Sequence, residues 1–278
     1  MVWEAIESVL AQRHRPFELI VVDDGSDDET AEEIRRRHGR SVRVVSEAHR
    51  GVAAARNLGV RNSAGPYLAF LDSDDTWRPG KLAAQVAFMQ GDARAEICQT
   101  EEIWIRNGRR INPKLRHRKP SGDLFRASLE LCLVSPSAVL MTRGLFDRVG
   151  GFDESFPVCE DYDLWLRISR DTPIHLIPEP LVIKRGGHVD QLSRSTWGFD
   201  RFRALSIKKL LDAGLPGDKR RWAVEALARK VRVLANGARK RKREGEALAY
   251  EALVADFIGE LSDGRRGHSS LLPAQGLS

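Results

Sequence analysis

Cysteine is scarce: Cys98, Cys132 and Cys159 are the only three in 278 residues, odd in number and far apart. That spacing argues against a disulfide framework or a cysteine-built zinc cage. Reduced thiols in a cytoplasmic protein are the default reading. No apolar run approaches the roughly 20 residues that would span a bilayer. Glu4 and Glu7 interrupt the first apolar residues, so the start lacks a signal-peptide pattern. The front also lacks a strand. Trp3, Ile6, Val9 and Leu10 share one helical face, whereas an alternating α/β chain normally begins with a strand.

What is present is an ordinary globular composition, 42% hydrophobic and 30% charged. The net charge of +6 is unevenly spread. Residues 1–195 carry 28 basic and 29 acidic side chains, while residues 196–278 carry 17 basic and 10 acidic. The densest basic run is Arg239-Lys240-Arg241-Lys242-Arg243. Such a run suits an anionic membrane surface or nucleic acid, or simply a solvated helix face.

The pattern from residue 1 to about 90 alternates helix and strand, as in a mostly parallel sheet with helical crossovers. The expected elements are a helix to Gln12, a strand Phe17–Val22, and a helix Thr30–His38 opened by a Ser26–Glu29 capping box and stopped at Gly39. A strand Val42–Val45, a helix starting at Gly51, a strand Tyr67–Leu71 and a helix from Pro79 to about Gln90 follow. Beyond Glu96 the expectations are a strand Ile97–Ile105, a basic irregular loop Arg109–Lys119, a helix Ser121–Cys132 and a strand Ala138–Met141. A sharp turn at Gly150-Gly151 precedes an amphipathic helix Glu160–Arg170. After about Thr196 the pattern is helical. The expected domains are residues 1–195, a basic helical extension 196–261, and a disordered tail 262–278.

Two acidic clusters each follow a strand-like apolar run. Leu19–Val22 leads into Asp23-Asp24-Gly25-Ser26, and Tyr67–Leu71 leads into Asp72-Ser73-Asp74-Asp75. Ligands of open α/β sheets bind outside the carboxyl ends of strands. Asp27 and Asp28 suit a helix N-terminus; Asp23 and Asp24 suit hydrogen bonds to a base or ribose, or plain turn chemistry. Three carboxylates in four residues at 72–75 repel by several kcal/mol when partly desolvated. A divalent cation with a phosphorylated ligand relieves that repulsion, and Mg²⁺ or Mn²⁺ suits the oxygen set. Glu160 and Asp161 fall at a helix start, pointing off the domain, where a carboxylate serves as a cap or a general base. Arg185-Gly186-Gly187-His188 suggests a flexible loop, with His188 either a surface residue or a metal ligand.

Val-Val-Asp-Asp-Gly-Ser, Gly-Val-Ala-Ala-Ala-Arg-Asn-Leu-Gly, Phe-Leu-Asp-Ser-Asp-Asp-Thr-Trp and Glu-Asp-Tyr-Asp-Leu-Trp-Leu-Arg occur in that order. Together, over about residues 1–195, they resemble the family 2 glycosyltransferases of the GT-A fold. The resemblance implies a Rossmann-like, mostly parallel α/β domain with an α-helical extension. It implies a nucleotide-diphosphate sugar donor, inversion at the anomeric carbon, and a glycan or lipid-linked acceptor in cell-surface synthesis. Asp24 would bond the nucleobase, with Asp23 and Arg56 near the nucleotide. Asp72 and Asp74 would surround ribose and metal, and Asp75 would be the nearest metal ligand, with His188 approaching the same metal. Asp161 would be the base and Glu160 would position the acceptor. Members of this family normally open with a central hydrophobic strand, so the neighbours of that strand are expected to show open edges.

Other readings are an inactive GT-A-like nucleotide-binding or scaffold protein, and a haloacid-dehalogenase-type phosphatase with Asp72 as nucleophile. Nucleic acid is not the expected partner. A cytoplasmic enzyme in peripheral contact with the inner face of the membrane is the expected setting.

Overall fold

The computed structural model describes residues 1–112, 118–187, 198–257 and 259. The chain divides between Trp197 and Gly198 into two compact units. The first holds eight strands: β1 Ile20–Asp24, β2 Arg43–Glu47, β3 Tyr67–Leu68, β4 Thr76–Trp77, β5 Ile97–Arg106, β6 Arg109–Ile111, β7 Val139–Thr142 and β8 His175–Gly186. Its helices are α1 Val2–Leu10, α2 Thr30–His38, α3 Val52–Arg61, α4 Lys81–Gly91, α5 Phe125–Ser128, α6 Arg143–Val149 and α7 Glu160–Ser169.

The strands form two sheets. β1 and β2 pair in parallel, and six strands run β3-β7-β5-β8-β4 with β6 on β5. β5 and β8 are parallel, while β7 is antiparallel to both β3 and β5. Among the described residues β1 and β3 do not pair with each other, and each keeps one unpaired edge.

Alternation explains how the larger sheet is covered on both faces. Ile97, Val139 and Met141 pack with Ala53 and Val60 of α3, Leu145 and Phe146 of α6, and Leu164, Trp165 and Ile168 of α7. The residues between them, Cys98 and Leu140, face Leu82, Val86 and Met89 of α4 and Val9 of α1. The smaller sheet shares α1 through Ile6, which packs with Ile34, Val42 and Val44.

Local structure departs from expectation where tertiary contacts override pattern. Pairing with β2 carries β1 through Asp23 and Asp24, with Asp24 opposite Glu47, so both aspartates lie inside the strand. α2 begins without the Ser26–Glu29 capping box; the Asp28 carboxylate accepts the Thr30 N–H at 3.0 Å instead. The first residues of the expected basic loop, Arg109–Ile111, fold back as β6, paired from Arg106–Arg109 to Trp104–Ile111, and residues 113–117 of it lie outside the described residues. The expected helix Ser121–Cys132 shrinks to Phe125–Ser128, because Gly122, at φ +101°, bridges to Ile174 instead. Gly150 and Gly151 make the sharp turn, with φ of +83° and +68°. α7 is amphipathic in sequence yet buried nearly all round.

One buried charge belongs to the core of this unit. The Lys81 ammonium, fully buried, donates to Gln85 Oε1 at 2.7 Å and Val139 O at 3.2 Å and lies 4.0 Å from the Trp77 ring centroid. Burial pulls its pKa down from 10.5 to about 7. Between those values the unfolded chain binds more protons than the native one, so native stability rises with pH through that window. Wild type should gain about 2 kcal/mol between pH 7 and pH 9 relative to Lys81→Met. Urea midpoints of both proteins at the two pH values check this; parallel shifts would refute it.

The second unit contains α8 Phe199–Asp212, α9 Gly217–Lys240 and α10 Glu244–Ala255. Ala235, Ala238 and Ala247 let α9 and α10 approach closely, with Tyr250 packed beside them. The basic run lies at this junction. Arg239 forks onto Glu251 at 2.7 and 2.9 Å and reaches Glu244 at 3.0 Å, while Arg243 meets Glu246 at 3.5 Å. Of the five basic side chains, Arg239 closes one helix onto the next, while Arg243 pairs within the first turn of α10. The expected tail 262–278 lies outside the described residues. No described helix is long and apolar enough to cross a membrane.

Candidate active site

Arg56 on α3 is the centre of the site. Its Nη2 donates to Asp72 Oδ1 and its Nη1 to Glu160 Oε1, each at 2.7 Å, and its guanidinium lies over the Phe152 ring at 5.2 Å. One planar fork thus joins its own motif to two others, 16 and 104 residues away. Burial opposes charge on Arg56, but Asp72 and Glu160 outweigh it and hold the guanidinium protonated. Burial likewise works against the Asp72 carboxylate, yet Arg56 and Lys184 keep its pKa below the usual range.

Asp72 to Asp75 form a tight turn closed by the Asp75 N–H on Asp72 O at 3.0 Å. The Asp72 N–H donates to Ser137 Oγ at 3.2 Å, which fixes the turn against the start of β7. Asp72, Asp74 and Asp75 each offer an oxygen, all within 4.8 Å of one another. Asp75 is 1% exposed. Its Oδ1 accepts the Arg185 N–H at 2.9 Å, whereas its buried Oδ2 accepts no hydrogen bond among the described residues. Burial pushes the Asp75 pKa up to about 7, with Asp72 adding to the rise and Lys184 opposing it. An orphaned buried oxygen beside two further carboxylates fits a hard divalent cation. His188, the other expected ligand, lies outside the described residues.

α7 begins at Cys159, whose φ of +64° is uncommon for a residue other than glycine. The turn directs Glu160 inward onto Arg56 rather than off the domain, and Glu160 is only 7% exposed. This corrects the expected direction of Glu160: its carboxylate is bound by Arg56 instead of facing off the domain. Burial, with Asp161 beside it, raises the Glu160 pKa. Asp161 is more open. Its Oδ1 accepts the Tyr162 N–H at 2.7 Å, and its Oδ2 lies 3.6 Å from the Cys132 thiol.

The first acidic cluster is differently engaged. Asp24 Oδ1 accepts the Arg50 N–H at 2.7 Å; Oδ2 accepts the Gly51 N–H at 2.9 Å and faces His49 Nδ1 at 2.9 Å. Asp24 thereby caps the entry to α3, the helix carrying Arg56. Asp23 Oδ1 accepts the Ser26 N–H at 3.1 Å. Asn57 joins the Gly150-Gly151 turn to α3 through a reciprocal pair with Phe152, at 2.8 and 3.0 Å. Sequence reasoning missed Asn57, Ser137 and Lys184; the last lies on a strand that was not foreseen.

An α/β fold with an acidic turn at a strand end and a second acidic pair at a helix start defines a GT-A-type glycosyltransferase. A family model, Glycosyl transferase family 2, matches residues 1–150, and the chain belongs to that family. An "uncharacterized glycosyltransferase" of Rickettsia conorii is 33% identical over 202 residues, 69% of this chain and 32% of that protein. A UDP-Glc:alpha-D-GlcNAc-diphosphoundecaprenol beta-1,3-glucosyltransferase of Escherichia coli is 31% identical over 170 residues, 60% of this chain and 64% of that protein. The chain thus spans about a third of the length of the first of these relatives. Among solved structures, S. aureus TarS 1-349 superposes with a TM-score of 0.69 at 19% identity, covering 94% of this chain and 79% of that one. A mannosyltransferase from Pyrobaculum calidifontis, in complex with GDP-Man and Mn²⁺, gives 0.57 at 19% identity, covering 91% and 79%. Membership in this family sets the phosphatase reading aside.

Proposed function

We propose that the chain, through residues 1–195, is an inverting, metal-dependent transferase that moves a sugar from a nucleotide diphosphate to an acceptor hydroxyl. The observation that carries this reading is the Arg56 fork, which holds the acidic turn at 72–75 and the acidic start of α7 to one guanidinium. A donor's diphosphate belongs at the first and an acceptor hydroxyl at the second.

Each residue then has a task. Asp161 Oδ1 is occupied by a backbone N–H, so Oδ2 takes the acceptor proton as the hydroxyl oxygen attacks the anomeric carbon. Attack from the face opposite the diphosphate inverts that carbon. Glu160, tied to Arg56, orients the acceptor and is held back from acting as the base. Asp24 shapes the loop at 49–51, and with Asp23 it borders the nucleoside end of the site. Asp72, Asp74 and Asp75, with His188, would hold Mg²⁺ or Mn²⁺, which supplies Lewis-acid neutralisation of the departing diphosphate. The Mn²⁺ named for the Pyrobaculum structure supports this choice. The E. coli relative named for a diphosphoundecaprenol-linked sugar supports a lipid-linked acceptor met at the inner membrane face. The basic helical extension, residues 196–261, supports peripheral contact there.

The test is thermal stability of the purified chain against UDP, GDP and dTDP, with and without Mn²⁺. A metal-dependent rise with one nucleotide is expected, and a melt indifferent to all would sink the reading. Asp75→Asn separates the roles further. Without metal it should raise Tm by several degrees, because it removes a buried charge whose Oδ2 accepts no hydrogen bond among the described residues, relieving about 1–3 kcal/mol. The same variant should lose the Mn²⁺-dependent shift. Stability and function are opposed at this residue.

A further inference from the structure

Lys184 lies on β8 opposite Trp104 of β5, and Glu102, two residues before Trp104, faces the same side of the sheet. Its ammonium donates to Ser135 Oγ at 3.1 Å. The next backbone N–H, that of Arg185, is the one bound by Asp75. Burial works against the Lys184 charge, but Glu102, Asp75, Asp72 and Asp161 outweigh it and keep the ammonium protonated. Glu102 already has its own cation, Lys119, at 2.8 Å. Ser135 lies two residues before Ser137, whose hydroxyl takes the Asp72 N–H, so Lys184 is held beside the acidic turn from both sides.

For in-line transfer, the diphosphate must lie at that acidic turn, with the bond to the sugar directed toward the start of α7. We propose that Lys184 is a resident cation for the donor's diphosphate, binding its oxygens from the sheet side. The inference rests on the reading of this cleft as a donor site. An ammonium has three N–H groups, and Ser135 takes one, which leaves two for phosphate oxygens. Before the donor arrives, the same charge holds Asp72 and Asp75 together and opposes a divalent cation entering beside it. Removing the charge therefore has opposite effects on the two ligands. Diphosphate binding weakens and cation binding tightens, a combination that no merely structural lysine produces.

The experiment uses the full chain and Lys184→Met, with Lys184→Arg as the charge-keeping variant. Calorimetry with UDP, GDP and dTDP identifies the nucleotide that wild type binds with Mn²⁺. Lys184→Met should weaken that nucleotide roughly ten- to a hundredfold, the range of a hydrogen bond to a charged group. In nucleotide-free protein, Mn²⁺ titrated by electron paramagnetic resonance should bind Lys184→Met roughly tenfold more tightly than wild type. Lys184→Arg should stay within a few-fold of wild type on both counts. Nucleotide affinity unchanged in Lys184→Met, or Mn²⁺ affinity lowered together with Tm, overturns the proposal. Should Lys184→Met not fold, wild type in EDTA decides: the nucleoside diphosphate must bind roughly tenfold more tightly than its monophosphate, and equal affinities overturn it. If wild type binds none of the three nucleotides with Mn²⁺, the donor-site reading itself falls.

Discussion

Asp161→Asn is expected to lower kcat by about 10²–10⁴-fold, the range for loss of a positioned general base. The affinity of the matching nucleotide should stay within about threefold. The asymmetry follows from the geometry. An asparagine keeps the shape of the residue, and its Oδ1 still accepts the Tyr162 N–H that anchors the first turn of α7. What it loses is the second oxygen, the one beside Cys132, which alone is placed to receive a proton. Glu160 is no substitute, because its carboxylate is bound to Arg56 and buried. A factor of 10³ corresponds to about 4 kcal/mol of transition-state stabilisation. The measurement is release of nucleoside diphosphate from the donor at saturating acceptor, beside calorimetric Kd values for both proteins. Retention of more than a tenth of wild-type kcat would remove Asp161 from its role. A scaffold protein would show no difference at all, so this substitution also tests whether the chain is an enzyme.

The acidic turn was legible because three carboxylates in four residues after an apolar run have few inexpensive explanations. The start of α7 was legible for its position, though not for its direction. Helical period predicts which face of a helix is apolar, whereas the inward aim of Glu160 depends on Arg56 arriving from another helix 104 residues away. β8 was hidden for a local reason. Pro178 and Pro180 interrupt it, and proline argues against a paired strand. The structure absorbs them where the β5–β8 register shifts, between Thr100 and Glu102. With β8 unread, Lys184 had no strand to bring it to the site. Asp24 shows the reverse difficulty. The family resemblance implies a nucleobase contact for it, yet both of its oxygens are held by the loop before α3, a pairing that sequence spacing does not reveal.

Arg56→Met should cause the largest loss of stability among substitutions at the site. It removes the single cation facing both Asp72 and Glu160, which leaves the buried Glu160 without its partner and Asp72 with Lys184 alone. Breaking a buried pair in this way costs about 3–5 kcal/mol. In a unit of this size that lowers Tm by about 10 °C. The penalty is electrostatic, so part of it should be recoverable by charge. Adding Glu160→Gln to Arg56→Met removes one uncompensated carboxylate and should restore several degrees, a non-additive result expected of residues in direct contact. Mn²⁺ should stabilise Arg56→Met more than it stabilises wild type, because the acidic turn has lost a competing positive charge. Additive effects in the double variant, or a smaller Mn²⁺ shift in Arg56→Met than in wild type, would mean that the fork is packing rather than charge balance. The expected outcome ties function to fold through one side chain. The guanidinium that balances the acidic cleft also joins the motifs proposed to hold the donor and the acceptor.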